Sequence, residues 1–261
     1  MAFTVHAVMP GVWHIVDCMG VCMTLLEGEN AAMLVDTGYG IEDVADFMRH
    51  MTDLPLTVFL THNHHDHAMG ARCFPETYML EADMADWRMF TNDEMRRRVL
   101  TQAIGKNLTV DEKTFLAGEI PLPKVMKPGV IDLGGLTAEI IEAPGHTPGS
   151  AGVYVPERKL LLSGDDWNPC TWLFFPQALG LREYRSNMRG IQQLPFEKVL
   201  CPHREALYDR WMFDDFFNAL TDGNLRAAEP VNIAPYEQID TCQATLPHDQ
   251  VLVFDWAKSG L

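Results

Sequence analysis

Thr61-His62-Asn63-His64-His65-Asp66-His67 places four histidines and an aspartate within six consecutive positions. Just before it runs Leu56-Thr57-Val58-Phe59-Leu60, an apolar stretch rich in strand formers, and just after it come the small residues Ala68 and Gly70. A strand that ends in such a loop carries its side chains on a rigid base. Neutral imidazoles and carboxylates are the donor set for zinc, iron or manganese. A solvated polar loop has no use for four histidines, so the stretch reads as a metal site.

Outward from this loop, other polar residues also stand at the ends of apolar runs. Asp36 follows Met33-Leu34-Val35 and opens a glycine-containing loop to Gly40. His146 sits in Gly145-His146-Thr147-Pro148-Gly149, after the strand pattern Ala138–Ala143. Ala151–Val155 and Lys159–Leu162 flank the turn Pro156-Glu157-Arg158, a hairpin that delivers Gly164-Asp165-Asp166 at its end. Lys198-Val199-Leu200 leads to Cys201-Pro202-His203. Every candidate donor thus follows a strand, as expected of a site at one sheet edge.

In this order His62-x-His64-x-Asp66-His67, Asp36, His146, Asp165 and His203 resemble the motifs of the metallo-β-lactamase-fold hydrolases, over about Val12 to Leu220. The resemblance implies an α/β (α+β) fold, an αββα sandwich of two mixed sheets with external helices and metals at one edge. It implies that His62, His64 and His146 hold one metal, that Asp66, His67 and His203 hold a second, and that Asp165 bridges them. Asp166 is the rival for the bridge; Asp165 is preferred because it directly follows Gly164. Asp36 would steady the metal loop without binding metal, or else cap the following helix. His65 has no place in the pattern. The expected cofactors are two divalent ions, zinc first, with iron or manganese as alternatives. Such a pair lowers the pKa of a shared water to about 7, and the resulting hydroxide attacks a carbonyl. Asp66 and Asp165 are the expected catalytic carboxylates.

The motifs around His146 and Asp165 resemble the glyoxalase II-like thioester hydrolases and the lactonases more than the zinc β-lactamases. The expectation is hydrolysis of a thioester, ester or lactone. A mononuclear iron sulfur dioxygenase-like oxidoreductase and a β-lactam hydrolase are the alternatives. The aromatic segment Trp172–Phe175 reads equally as an acyl pocket or as core.

Composition bounds the rest. The chain has 261 residues, 47% of them hydrophobic, and a formal net charge of −16. That length suits one domain spanning 1–261, with an insertion at about 101–130 as a lid and a C-terminal extension from about 228. The charge argues against a nucleic-acid surface, which needs a basic stripe. No apolar run approaches the ~20 residues of a membrane helix. Six scattered cysteines, with no secretory pattern at the N-terminus, predict reduced thiols and a cytoplasmic location. Cys201, two residues before His203, reads as a small apolar residue at a strand end. The partner is a small-molecule substrate, and Lys106, Lys113, Lys124 and Lys127 in the insertion suggest an anionic one; the oligomeric state is not legible. Ile41–Met51, Glu81–Leu100 and Glu205–Leu220, the last stopped near Gly223, have helical periods, and Arg96-Arg97-Arg98 reads as a solvated face.

Overall fold

The computed structural model describes residues 3–261. Two mixed sheets face each other. The first has seven strands in the order Thr4–Met9, Val12–Val16, Cys22–Glu27, Ala32–Val35, Leu56–Phe59, Tyr78–Met79 and Lys124–Val125. Its pairing is antiparallel up to Ala32–Val35 and parallel beyond it. The second has six, in the order Tyr208–Asp209, Lys198–Leu200, Leu160–Leu162, Ala151–Val155, Thr137–Glu142 and Gly129–Asp132. There only Leu160–Leu162 and Lys198–Leu200 run parallel.

Alternating residues of the two sheets meet in a dry layer. Val12, Leu26, Met33, Val35 and Phe59 from the first pack against Ala138, Ile140, Val153, Val155, Leu160 and Leu162 from the second. Helices cover the outer faces, as apolar sheet faces require. Val44–Met51 lays Val44, Ala45 and Met48 on Ile15, Leu25, Leu34 and Val58. Leu181–Ile191 and Arg210–Ala219 cover the second sheet through Tyr184, Met188, Phe213 and Phe216. This is the αββα arrangement expected, and no helix among the described residues is long and apolar enough to cross a membrane.

A third sheet adds to the expected pair. Cys170–Leu173 pairs in parallel with Gln250–Asp255, which forms a hairpin with Thr241–Leu246 and so reaches Glu229–Pro230. Its residues Leu173, Cys242, Ala244, Leu252 and Phe254 share a buried cluster with Trp167, Tyr184 and Phe213. Residues beyond 228 therefore pack into the same core as the second sheet.

Two helix expectations and one loop expectation are corrected. The period over Glu81–Leu100 is broken into a 3-10 turn at Glu81–Asp83, a short helix at Trp87–Thr91 and a helix at Asp93–Gly105. The cause is Asn92, whose extended backbone and side-chain acceptor for Met95 N start a new helix. The helix expected from Glu205 begins only at Arg210, because Tyr208–Asp209 extends the second sheet. It ends at Ala219 with Leu220 as its cap, and Gly223 lies inside a further short helix, Asp222–Arg226, capped by Thr221. The segment 101–130, expected to be irregular, contains the helix Glu112–Phe115 and an edge strand of each sheet.

The arginine run also differs. Arg97 and Arg98 are solvated as expected, Arg98 pairing with Glu94. Arg96 is 1% exposed. Its guanidinium donates to the carbonyls of Phe115, Ala117 and Gly118 and to Asp93, and it packs on the Phe115 ring. It ties the segment after Gly105 back onto the helix. Arg96→Met leaves those carbonyls without a donor and is expected to cost about 2–4 kcal/mol. Arg97→Met is expected to change stability by less than about 0.5 kcal/mol. Urea unfolding of the two variants checks the contrast.

Candidate metal centre

Five loops, each at the end of a strand, converge at one edge of the two sheets. Asp36 leaves Ala32–Val35 with φ +64° and turns its carboxylate toward the next parallel strand. There it accepts from Thr61 N at 2.7 Å, from Thr61 Oγ1 at 2.9 Å and from His67 Nδ1 at 3.0 Å. Thr37 N and Oγ1 both donate to His67 O. Gly70 is required beside them, since a Cβ there would lie 2.1 Å from the Thr37 carbonyl. The loop from Asp36 thus clamps both ends of the histidine stretch, and Asp36 is not the cap of the following helix, a role taken by Asp43.

Three of the rings have a fixed outer partner. His62 Nδ1 donates to Thr61 Oγ1 at 3.0 Å, while that hydroxyl donates to Asp36. His67 Nδ1 donates to Asp36, and His146 Nδ1 donates to the Trp172 carbonyl at 2.6 Å. Held in this way, the opposite ring nitrogens point inward. His64 Nδ1 and His146 Nε2 lie 2.9 Å apart. Asp165 Oδ2 stands 3.0 Å from His203 Nε2, 3.4 Å from His67 Nε2 and 3.5 Å from His146 Nε2. Asp66 Oδ2 is 3.7 Å from both His67 Nε2 and His203 Nε2.

The donors fall into three overlapping groups whose atoms lie within 4.8 Å of one another: His62, His64 and His146; His62, His67 and Asp165; and Asp66, His67 and His203. All seven candidate donors named from the sequence therefore meet at one place. His62 Nε2, His67 Nε2 and Asp165 Oδ1 are buried there with no hydrogen-bond partner. Unsatisfied buried polar atoms are costly and rare. Lone pairs converging on a common point fit a cation better than any other occupant.

Charge makes the same demand. Burial pushes His62, His64 and His146 below the ordinary histidine range, keeping them neutral. Burial also acts on His67, but Asp165, Asp66 and Asp36 outweigh it and hold this ring well above that range. Burial opposes ionisation of Asp66, yet His67, His65 and His203 bring it down to about 2. Asp165 is likewise held well below the carboxylate range by His203 and His67, against burial. Three buried carboxylates require positive charge beside them, from protons or from a metal ion.

Asp166 belongs to none of the three groups. Its Oδ1 accepts from His146 N at 2.8 Å, behind the His146 ring, so it supports the loop. His65 turns away: its ring meets Tyr39 edge-on at 5.5 Å, and it belongs to none of the three groups. Cys201 is buried, with its thiol pushed up by burial, and it too is outside the groups. Two of the four lysines of the insertion have partners away from the donor cluster. Lys106 donates to Met19 O, Lys124 pairs with Glu76, and Lys127 lines a cavity of about 710 Å³ with Glu81 and Glu142. The aromatic segment divides. Phe174 is buried core, Phe175 packs on His64 and His146 at 4.8 and 5.3 Å, and Trp172 is 38% exposed.

Two supporting residues carried no signal in the sequence. Asp83, 1% exposed, accepts from Asn63 N at 3.2 Å, Thr147 Oγ1 at 2.7 Å and Gly149 N at 2.6 Å. It staples the His62–His64 loop to the His146 loop, although it lies in a stretch of ordinary helical composition. His14, buried in Val12–Val16, bridges Thr24 Oγ1 and the Arg204 carbonyl and so supports the loop of His203.

Comparison with known proteins agrees with this geometry. Residues 16–203 match the model of the metallo-beta-lactamase superfamily. Over 202 residues the chain is 26% identical to the acyl-coenzyme A thioesterase MBLAC2 of Gallus gallus, which spans 69% of this chain and 70% of that protein. Among solved structures, it superposes on a metallo-beta-lactamase family protein from Thermus thermophilus with a TM-score of 0.59 at 18% identity, covering 85% of this chain and 82% of that one. It superposes on a metallo-beta-lactamase from Pontibacter korlensis with a TM-score of 0.57 at 17% identity, covering 83% and 98% respectively. With its His/Asp cluster at the expected sheet edge, the chain belongs to the metallo-beta-lactamase superfamily and is a metallohydrolase of that family.

Proposed function

We propose that the protein is a dinuclear metal-dependent hydrolase of a thioester, ester or lactone, with thioesters first. The observation that carries this reading is the overlap of the donor groups through His62 and His67, with Asp165 within 3.5 Å of His67, His146 and His203 and buried polar atoms left unpartnered. Seven donors exceed what one tetrahedral ion takes up, and they divide naturally into two sets. His62, His64 and His146 would hold one ion, Asp66, His67 and His203 the other, and Asp165 would stand between them. The thioester preference is supported by the acyl-coenzyme A thioesterase relative. Zinc suits the histidine-rich set, with iron or manganese also compatible.

Bound in such a site, divalent ions supply Lewis acidity toward a carbonyl oxygen and acidify water. The chain's own residues do the rest. Outer partners fix the ring orientations, so the donors need no rearrangement at the moment of reaction. The histidines beside Asp66 and Asp165 favour the ionised form of both carboxyls, which suits them to hold positive charge. Phe90 and Phe175, packed on His64, give one side of the site an apolar wall that suits an acyl group and keeps water from that side. The packing of residues beyond 228 on the second sheet supports a single domain over 1–261. The six free cysteines suit a reducing compartment such as the cytoplasm.

Metal analysis of protein purified without added metal or chelator tests the reading. About two ions per chain, zinc alone or mixed with iron or manganese, are expected, together with turnover on a thioester and lactone panel. A single iron per chain with oxygen uptake on persulfides would overturn it in favour of a dioxygenase. His64→Ala and Asp165→Ala are expected to lose metal and to lower kcat/KM by about 100-fold or more. His65→Ala is expected to keep both ions, and equal metal loss there would overturn the donor assignment. Asp83→Ala, which releases both loops from their common acceptor, is expected to destabilise the fold by about 1–3 kcal/mol in denaturant unfolding.

A further inference from the structure

The outer partners of the cluster follow a rule with one unresolved member. His62, His67 and His146 each turn Nδ1 outward to an oxygen, from Thr61, Asp36 and Trp172, and Nε2 inward. His64 is reversed. Its Nδ1 faces inward, 2.9 Å from His146 Nε2, and its Nε2 faces outward, 2.7 Å from Nε2 of Gln177. For His64 Nδ1 to offer a lone pair to the cluster, Nε2 must carry the proton, and whatever faces Nε2 must accept it. The amide of Gln177 can do so, because a half-turn about its terminal bond exchanges oxygen and nitrogen. The oxygen gives up no bond in that half-turn: with nitrogen toward His64, the Gln177 oxygen is buried and has no hydrogen-bond partner. The His64 ring has little freedom to answer by turning itself, packed as it is between Phe90 and Phe175 at 4.4 and 4.8 Å.

Gln177 is itself held by a residue some eighty positions further on. Lys258 Nζ donates to the carbonyls of Phe175 at 3.2 Å, Pro176 at 2.6 Å and Ala178 at 3.0 Å, on both sides of Gln177. Gly180 continues the contact, since a Cβ there would lie 2.8 Å from the Lys258 carbonyl.

We propose that Gln177 is a positioning residue of the metal centre, its Oε1 accepting from His64 Nε2–H and so fixing the tautomer that presents Nδ1, with Lys258 as the strap that keeps it there. The proposal rests on His64 being a metal ligand. It adds the residue that orients this ligand and the link from that residue to the third sheet. Gln177 touches the ligand and not the substrate, so its removal acts first on metal affinity.

Zinc binding to the wild type, Gln177→Met, Gln177→Glu and Lys258→Met is measured by competition with a chromophoric chelator, beside thermal unfolding of each metal-free chain. Gln177→Met keeps the length of the side chain and removes the acceptor. It is expected to weaken one of the two ions by about 10–100-fold and to leave the other unchanged. Gln177→Glu keeps an acceptor and is expected to bind both ions as the wild type does. Lys258→Met is expected to weaken the same ion as Gln177→Met, by less. Unchanged affinity in Gln177→Met overturns the proposal. So does equal weakening of both ions accompanied by a lower melting temperature of the metal-free chain, which is the mark of general loosening. A wild-type chain that takes up no divalent ion overturns the reading of His64 as a ligand, a different failure from either of these.

Discussion

The carboxylate of Asp36 is the constraint from which the metal centre is built. It lies at the end of one strand and accepts three hydrogen bonds from the loop at the end of the next, two from Thr61 and one from His67. Buried carboxylates are tolerated only where such bonds replace water. Here those bonds fix the start of the histidine stretch and the ring that closes it. Through Thr61 Oγ1 the same carboxylate also sets the orientation of His62. The parallel pairing of Ala32–Val35 with Leu56–Phe59 brings the two loops side by side, and the close approach of Gly70 to Thr37 allows them to touch. The first sheet thereby presents four of the seven candidate donors as one rigid unit. The second sheet contributes the other three from loops that meet it across the buried layer.

The sheet layers and the donor set were legible because both leave periodic or local marks. Alternating apolar runs each ending at a histidine or aspartate identify strands and the edge toward which they point. The hairpin Ala151–Leu162 could be read with its turn. What was not legible depends on contacts distant in sequence. Asp83 lies in a stretch of helical composition and is revealed only by its three acceptor contacts to two loops. Arg96 has the same neighbours in sequence as the solvated Arg97 and Arg98, and differs only in the carbonyls that fold back over it. The long helix expected from Glu81 fails because one capping residue, Asn92, outweighs the apolar period. The third sheet was missed because Cys170–Leu173 and Gln250–Asp255 pair in parallel across some eighty residues, and nothing local announces such a partner.

The supporting residues share a physical logic. A ring that presents one nitrogen to a cluster is held through the other, and the groups that hold His62, His67 and His146 are a hydroxyl, a carboxylate and a backbone carbonyl. None of these is a conspicuous residue in sequence. Asp166 illustrates the same dependence on position. Adjacent to Asp165 and identical in chemistry, it faces the opposite way and serves the backbone of His146. One step along a 3-10 turn separates a donor from a scaffold.

The bond from His146 to the Trp172 carbonyl bears on how the protein is made. Trp172 sits in a strand whose partner residue is Val253, some eighty positions further along. During synthesis the first sheet can form, and the loops of His62 to His67 with it, while the partner of Cys170–Leu173 is still inside the ribosome. His146 is thus oriented in part by a strand whose partner is the segment 250–255. One ring of the cluster therefore depends on a pairing made across some eighty residues, while the loop of His62 to His67 depends on neighbouring strands of the first sheet.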